Sequence, residues 1–385
     1  MTPSELLSAV EEIAKTITGP AAADVDIQGR FPVESIDALK RAGMMGAAIP
    51  VELGGIGCSL SELGQMCMIL GRKCTSTSMI VAMHHIQVAS LVNHGLESDE
   101  MVAYVRSVAS ECRLISSGTS EMGPSGDMRQ SVCFVSPNEK GFTIEKQCTA
   151  VSYGQMAQDI LFQARKGEDS NSGDQATILA VEGTYDLKQV GTWDTLGMRG
   201  TSSPGGVLKV AGAPWQILDA PFSTVAAITQ VPWAHSLWSH CWLGAATEAV
   251  DKASKVVRRK ARSQPGQVPP VAYELSKLSG KLQVMRSLVK TFTDEYTSIA
   301  SSSDHSNLKS LGFALRENNL KINTSEIAVE IVTEAMRIVG IGAYKNDGEA
   351  SLGRQLRDVC SGSLMISNQR IHETNASMLL VHKSV

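Results

Sequence analysis

Three long amphipathic stretches constrain this chain most: Leu243 to Arg262, Val271 to Ala300 and Leu308 to Val339. In the last, Ile327, Ile331, Ala335 and Ile338 fall three and four residues apart, so they share one helix face. A helix with one apolar stripe is stable only when the stripe is covered, and helices of this length cover one another side by side in a bundle. The chain after Pro232 therefore reads as helical.

From Pro32 to about Val108 the spacing is helical as well. Ile36, Leu39 and Ala42 line one face of the stretch from Val33 to Ala42, and Leu63, Met66, Cys67 and Leu70 line one face of Leu60 to Lys73. Leu53-Gly54-Gly55-Ile56-Gly57 breaks the pattern, and Ser59 is placed to cap the second helix. From about Arg113 the texture changes to strands. Ser131 to Val135 and Phe142 to Lys146 flank Pro137-Asn138-Glu139-Lys140-Gly141, a hairpin signal. Asp159 to Ala164 and Ala176 to Val181 flank a polar loop, and Gly206 to Val210 is a further strand. The resulting order is α–β–α, with a helical domain at 1–112, a β domain at 113–218 and a second helical domain at 219–385.

Composition excludes several classes. The 385 residues carry a net charge of −4 with no basic block, which argues against a nucleic-acid partner. The eight cysteines form no Cys-x-x-Cys pair and no zinc-like spacing with histidine, so no metal is expected and they read as buried thiols of a reducing compartment. Met1 to Lys15 carries two adjacent glutamates and no apolar run, and no stretch is long and apolar enough for a membrane span. A soluble cytoplasmic protein without membrane contact is the expectation.

Several landmarks, in order, resemble the acyl-CoA dehydrogenase superfamily. Phe31-Pro32 and Gly43 to Gly55 are similar to its N-terminal helical domain. Ser120-Glu121-Met122-Gly123-Pro124-Ser125-Gly126-Asp127 resembles the Thr-Glu-Pro-Gly-Ala-Gly-Ser-Asp loop of its β domain, and Gly197 to Ser203 a later turn. Arg262-Ser263-Gln264-Pro265-Gly266 resembles Arg-x-x-Phe-Gly, and Val339 to Tyr344 and Arg357-Asp358 follow in family order. The resemblance implies an α+β fold with a β-barrel-like middle domain and a C-terminal four-helix bundle. It also implies FAD bound without a dinucleotide fingerprint, and the chain has no Gly-x-Gly-x-x-Gly between a strand and a helix. A homotetramer or homodimer would complete the cofactor pocket.

The resemblance assigns site residues one by one. Ser120 stands for a threonine that bonds the flavin's pyrimidine edge; taken alone, its loop would be an ordinary Gly/Pro/Ser turn. Ser152 keeps a hydroxyl near the expected flavin N5, while Ala150 replaces a tryptophan. Arg262 offers paired donors to a pyrophosphate, in the family that of a neighbouring subunit, although Pro265 replaces the usual phenylalanine. Gly340 and Gly342 would admit that pyrophosphate closely, or would simply end a helix. Asn368 stands for a threonine that contacts the cofactor.

The catalytic glutamate of many members is expected nine residues after the arginine of Arg-Asp, and Ile366 stands there. In other members the base lies in the helix before Arg-x-x-Phe-Gly. Gapless counting places that position at Ser236, and Ala220 to Thr247 contains no Asp or Glu. Histidines titrate near neutrality and are the next candidates. His84 and His85 lie on a helix that would flank substrate and flavin, His235 adjoins Ser236, and His372 follows Ile366. A lone histidine on a helix is more often structural than catalytic, and Glu121, a motif carboxylate, is not the family's base.

Two functions follow. One is a dehydrogenase-like FAD oxidoreductase acting on an acyl-CoA or acyl-carrier thioester, with non-standard chemistry and an electron acceptor as partner. The other is a flavin-dependent monooxygenase that activates oxygen with reduced flavin, supplied by a flavin reductase. A non-catalytic flavoprotein fits less well, because the cofactor landmarks survive. Trp233, Trp238 and Trp242 would line an aromatic pocket or pack a helix face.

Overall fold

A computed structural model describes residues 1–124, 127–263, 265–302 and 304–382. Six helices come first: α1 (Pro3–Ile13), α2 (Gly19–Gln28), α3 (Val33–Arg41), α4 (Leu60–Lys73), α5 (Thr75–His94) and α6 (Asp99–Ser110). α1 and α4 start at capping boxes. Thr2 and Ser59 accept the N–H of Glu5 and Glu62, whose carboxylates take the caps' own N–H groups.

Eight strands follow: β1 (Ile115–Ser117), β2 (Ser136–Asn138), β3 (Gly141–Cys148), β4 (Asp159–Arg165), β5 (Gln175–Ala180), β6 (Tyr185–Val190), β7 (Gly205–Gly212) and β8 (Ile217–Pro221). They form two four-stranded sheets, ordered β1-β4-β5-β8 and β2-β3-β7-β6. All ladders are antiparallel except β1 with β4. The described strands do not close into a barrel, which corrects the barrel-like expectation. The hairpin at 136–141 is present, but its first strand is β2, not Ser131 to Val135. There the N–H groups of Val132 and Cys133 go to the Glu121 carboxylate, so they are withdrawn from ladder pairing. Pro137 is tolerated because β2 is an edge strand.

The C-terminal half contains α7 (Phe222–Val225), α8 (Val231–Ser263), α9 (Val271–Ala300), α10 (Leu311–Val339), α11 (Ile341–Tyr344), α12 (Gly353–Cys360), α13 (Gly362–Met365) and α14 (Asn368–Leu379). α8, α9 and α10 pack as a bundle, with α14 against α10 and α4 against α8. The approach of α8 to α4 requires Gly244, where a Cβ would strike the Met68 carbonyl. α8 begins well before the amphipathic stretch at Leu243. From Pro232 to Thr247 every side chain is buried, so that half of the helix has no polar face to reveal its period. One apolar core spans α1, α3–α5 and the bundle; a second lies between the sheets. Among the described residues no helix is long and apolar enough to cross a membrane, and no His/Cys/Asp/Glu cluster could hold a metal.

Candidate active site

Two segments of the β domain are tied together first. The Ser120 hydroxyl donates to the Ala150 carbonyl at 2.8 Å and accepts the Ala150 N–H at 3.0 Å. It is thus partly spent inside the protein, with one lone pair left for a ligand. The Ser116 hydroxyl donates to the Ser152 carbonyl at 2.6 Å, and the Ser152 N–H to the Ser117 carbonyl. The Ser152 hydroxyl itself is half-buried and makes no hydrogen bond among the described residues. Tyr153 beside it has φ +42°, left-handed backbone that a bulky residue adopts only when its surroundings impose it. The imposed contact is clear: its phenol is buried and donates to the Ile115 carbonyl at 2.9 Å. This strained turn carries the free Ser152 hydroxyl.

The Ser120 loop is braced by a buried ion pair that sequence spacing did not reveal. Glu121 accepts from Ser131 Oγ and from the N–H groups of Val132 and Cys133, and lies 3.5 Å from Lys146 Nζ. Lys146 is fully buried and also donates to the Gln163 carbonyl. These partners hold the Glu121 carboxyl below its usual range although burial pushes the other way. Ser125 and Gly126 of this loop, and Gln264 of the arginine motif, lie outside the described residues. Burial works to raise the Asp127 carboxyl, but hydrogen bonds from Arg129 hold it below its usual range.

His84 and His85 are buried on α5, their rings 4.9 Å apart. His84 Nε2 sits 2.9 Å from the Met45 carbonyl, and its Nδ1 accepts the Ile115 N–H at 3.1 Å. Both nitrogens are committed, so the Nε2–H tautomer is fixed and His84 has no nitrogen left for a substrate proton. It ties α5 to β1, a structural role in place of the expected catalytic one. Burial depresses its pKa to about 4. Neither nitrogen of His85 has a hydrogen-bond partner, and burial keeps it neutral.

On the bundle side, Ile366 is half-buried between α13 and α14. Lys321 of α10, which sequence reading did not single out, donates to the Ile366 carbonyl and to Asn368 Oδ1. Asn368 Nδ2 donates to Ser325 Oγ and Glu326 Oε1, both at 3.1 Å. The Asn368 side chain is therefore consumed by α10, and the expected cofactor contact would have to come from elsewhere on this turn. Ser236 is buried and bonded to Thr293 of α9. His235 Nδ1 lies 3.0 Å from the Glu317 carbonyl and burial depresses its pKa to about 3; His372 is exposed. Trp238 donates to Met83 Sδ at 3.2 Å, Trp233 to the Tyr296 hydroxyl at 2.9 Å, and Trp242 is a core residue.

Residues 3–109 match the family model for the acyl-CoA dehydrogenase N-terminal domain, and residues 228–365 the model for its C-terminal domain. The chain belongs to the acyl-CoA dehydrogenase family. Its relatives cover several activities. L-evernosamine nitrososynthase of Micromonospora sp. is 27% identical over 186 residues, 47% of this chain and 44% of that protein. The short-chain acyl-CoA dehydrogenase of Clostridium acetobutylicum is 34% identical over 92 residues, 24% of each chain. The chain thus matches less than half the length of both. Probable acyl-CoA dehydrogenase YngJ of Bacillus subtilis is 22% identical over 369 residues, 91% of this chain and 90% of that protein.

Among solved structures, the dibenzothiophene monooxygenase TdsC of Paenibacillus sp. A11-2, with FMN and indole, superposes at TM-score 0.84 with 17% identity over 99% of this chain and 98% of that one. KijD3 with FMN and an amino-sugar nucleotide gives 0.83 with 20% identity, covering 99% and 94%. Butyryl-CoA dehydrogenase of Megasphaera elsdenii gives 0.78 with 17% identity, covering 98% of each. At these identities the likeness is one of fold.

The family's arginine and glycines fall at a different place. Arg262 is exposed in the last turn of α8, 26 residues beyond Ser236, which is ~39 Å along the helix. Among the described residues it has no hydrogen-bond or ion-pair partner. Gly340 caps the C-terminus of α10 with φ +81° and open space where a Cβ would stand. α8 and α10 run in the same sense, since His235 bonds Glu317 and, one turn on, Ser239 bonds Thr324, so Arg262 and Gly340 share the opposite pole. Ile366 hangs on Lys321 of α10, 19 residues or ~28 Å along the helix before Gly340, so Arg262 and Gly340 lie too far along the bundle to serve that turn within one chain.

Proposed function

We propose that this protein is a flavin-dependent monooxygenase on the acyl-CoA dehydrogenase fold, binding its flavin as FAD with Arg262 supplied by a second copy of the chain in a homodimer or homotetramer. The observation that carries the reading is the turn at Ile366. It presents an aliphatic side chain where the family's α-proton base is expected; the Lys321 amine is bonded to its carbonyl, and the Glu326 carboxylate is engaged by the Asn368 amide. Such a turn lacks the carboxylate needed to deprotonate an acyl thioester. TdsC, a monooxygenase with FMN, and KijD3 with FMN share the fold.

The residues present fit a flavin. The Ser152 hydroxyl is free, the strained Tyr153 turn carries it, and the Ser120 loop is braced by Glu121 and Lys146. Ala150 leaves open the face on which the family carries a tryptophan. Bound flavin supplies two-electron chemistry: oxidised it accepts hydride, and reduced it passes electrons to oxygen. The chain's own contribution is to hold the ring through Ser120 and Ser152 and to keep water from it with Ile366 and the core beneath. A flavin reductase would supply the electrons. A second reading, dehydrogenation of an acyl-CoA or acyl-carrier thioester with an electron acceptor as partner, is favoured by the near-full-length match to YngJ.

The test is spectroscopic. The purified protein is reduced anaerobically and mixed with oxygen in a stopped-flow instrument. The expected outcome is a transient absorbance unlike that of oxidised or reduced flavin. Direct return to oxidised flavin overturns the oxygenase reading, and rapid bleaching by butyryl-CoA without oxygen supports the dehydrogenase. A protein that neither carries nor binds flavin refutes both. Flavin released by heating identifies the cofactor, and FMN alone overturns the assignment of FAD.

A further inference from the structure

We propose that Lys321 is the positioning residue of this site: its buried amine pins the link between α13 and α14 and so fixes how Ile366 is presented. The assignment rests on the site proposed above. Ile366 is extended and Ser367 is not helical, so the Ile366 carbonyl lies outside both helices and needs a donor from elsewhere. Lys321, with no exposed surface, supplies it. The same amine donates to Asn368 Oδ1 at 2.7 Å, and Asn368 Nδ2 reaches Ser325 and Glu326 at 3.1 Å. Five residues of the link and α10 therefore form one connected network: Lys321, Ser325, Glu326, Ile366 and Asn368.

The amine is kept without a carboxylate within ion-pair distance among the described residues. Its compensation comes indirectly, through the Asn368 amide, from Glu326. A buried lysine so weakly compensated is costly, and a methionine would fill the same volume without that cost. What methionine could not do is donate to the Ile366 carbonyl. Burial also depresses the Lys321 pKa to about 8, with Glu326 acting the other way. The titratable groups around it are Glu317 and Glu326 on α10 and His235 on α8, where Lys321 in turn lowers the proton affinity of His235. The charge behind Ile366 therefore changes in a range accessible to experiment.

Two measurements on the full-length protein decide this. The first is amide hydrogen exchange of residues 362–371 in wild type and K321M. About tenfold faster exchange is expected there in the variant, with β4 and β5 unchanged. Unchanged exchange at 362–371, or acceleration spread through the whole bundle, overturns the assignment. If K321M does not fold, K321Q is used; its shorter stem keeps a polar group but cannot reach the Ile366 carbonyl, and the same local acceleration is expected. The second is a pH titration of the bound flavin's absorbance. Wild type is expected to show an inflection near pH 8 that the variant lacks, and an inflection surviving in the variant overturns the role at the site. Should no flavin bind, the proposed function falls while the exchange measurement still decides the role of Lys321.

Discussion

At the scale of the residue, the site separates groups that are free from groups that are spent. Ser120, His84 and Asn368 all stand where family likeness puts functional residues, yet their polar atoms are mostly engaged within the chain. Ser152 is different, because its hydroxyl is unpaired and a left-handed tyrosine follows it. Ser152→Ala should therefore weaken flavin binding by about tenfold, the worth of one hydrogen bond, with little change in melting temperature. Fluorescence titration of the flavin-free protein with flavin checks this, and an unchanged affinity removes Ser152 from the site. Ser152 was legible because a hydroxyl survives in a recognisable segment. Lys321 and the Glu121–Lys146 pair were not, because a buried lysine looks in sequence like any solvated lysine on a helix or strand. Only the packing of α10 against the α13–α14 link, or of one sheet on the other, shows that its charge is enclosed.

At the scale of elements, legibility followed burial. α4 and α9 run over the residues that periodicity marks, Leu60–Lys73 and Val271–Ala300, because each keeps one wet face. The first half of α8 and the short strands β1, β6 and β8 escaped. The former is enclosed on all sides, β1 and β8 are too brief for alternation to register, and β6 is exposed at four of its six positions. The Arg-Asp motif has a meaning at this scale that its sequence does not disclose. The Arg357 guanidinium pairs with Asp26 of α2, and Asp358 Oδ1 accepts the Met198 N–H at 2.7 Å, so α12 fastens both the N-terminal helices and the β domain to the bundle. Gly197 lets the backbone pass close enough for this, since a Cβ there would collide with the Arg357 carbonyl. Gly197→Ala should destabilise the protein by about 2–4 kcal/mol through overpacking against rigid backbone. Denaturant unfolding checks the value, and a change below about 0.5 kcal/mol, the range of an ordinary surface substitution, would show that the contact yields freely.

At the scale of the whole molecule, the buried titratable groups set a direction for acid stability. Burial depresses the pKa of His84, His94 and His240 to about 4 and of His235 to about 3, and holds His85 well below its usual value. Between pH 6.5 and 4.5 these five are charged when unfolded and largely neutral when folded, so the unfolded chain binds more protons. Two buried carboxyls act in the opposite sense: burial raises Asp358 to about 6 and Glu317 well above its ordinary value, so the folded chain holds protons that the unfolded chain has released; the exposed Glu97, raised by its hydrogen bond with Asp219, acts the same way. The histidines outnumber them, and stability must fall as pH drops through this window. Carboxylates with lowered pKa, such as Glu121 and Glu34, are lost only below it and add to the same trend. A fully buried histidine whose pKa falls from 6.5 to about 4, as for His84, is worth roughly 3 kcal/mol, a large part of a domain's stability of about 5–15 kcal/mol. The melting temperature should therefore decline steadily from pH 6.5 to 4.5, and His240→Gln should flatten the slope by about one proton. His240 is the informative choice because it packs over Gly64 in the α4–α8 contact and bonds only its own helix, at the Ser236 carbonyl. A melting temperature that is level or rises toward pH 4.5 would mean that the two carboxyls dominate and that the histidines are charged in the folded protein.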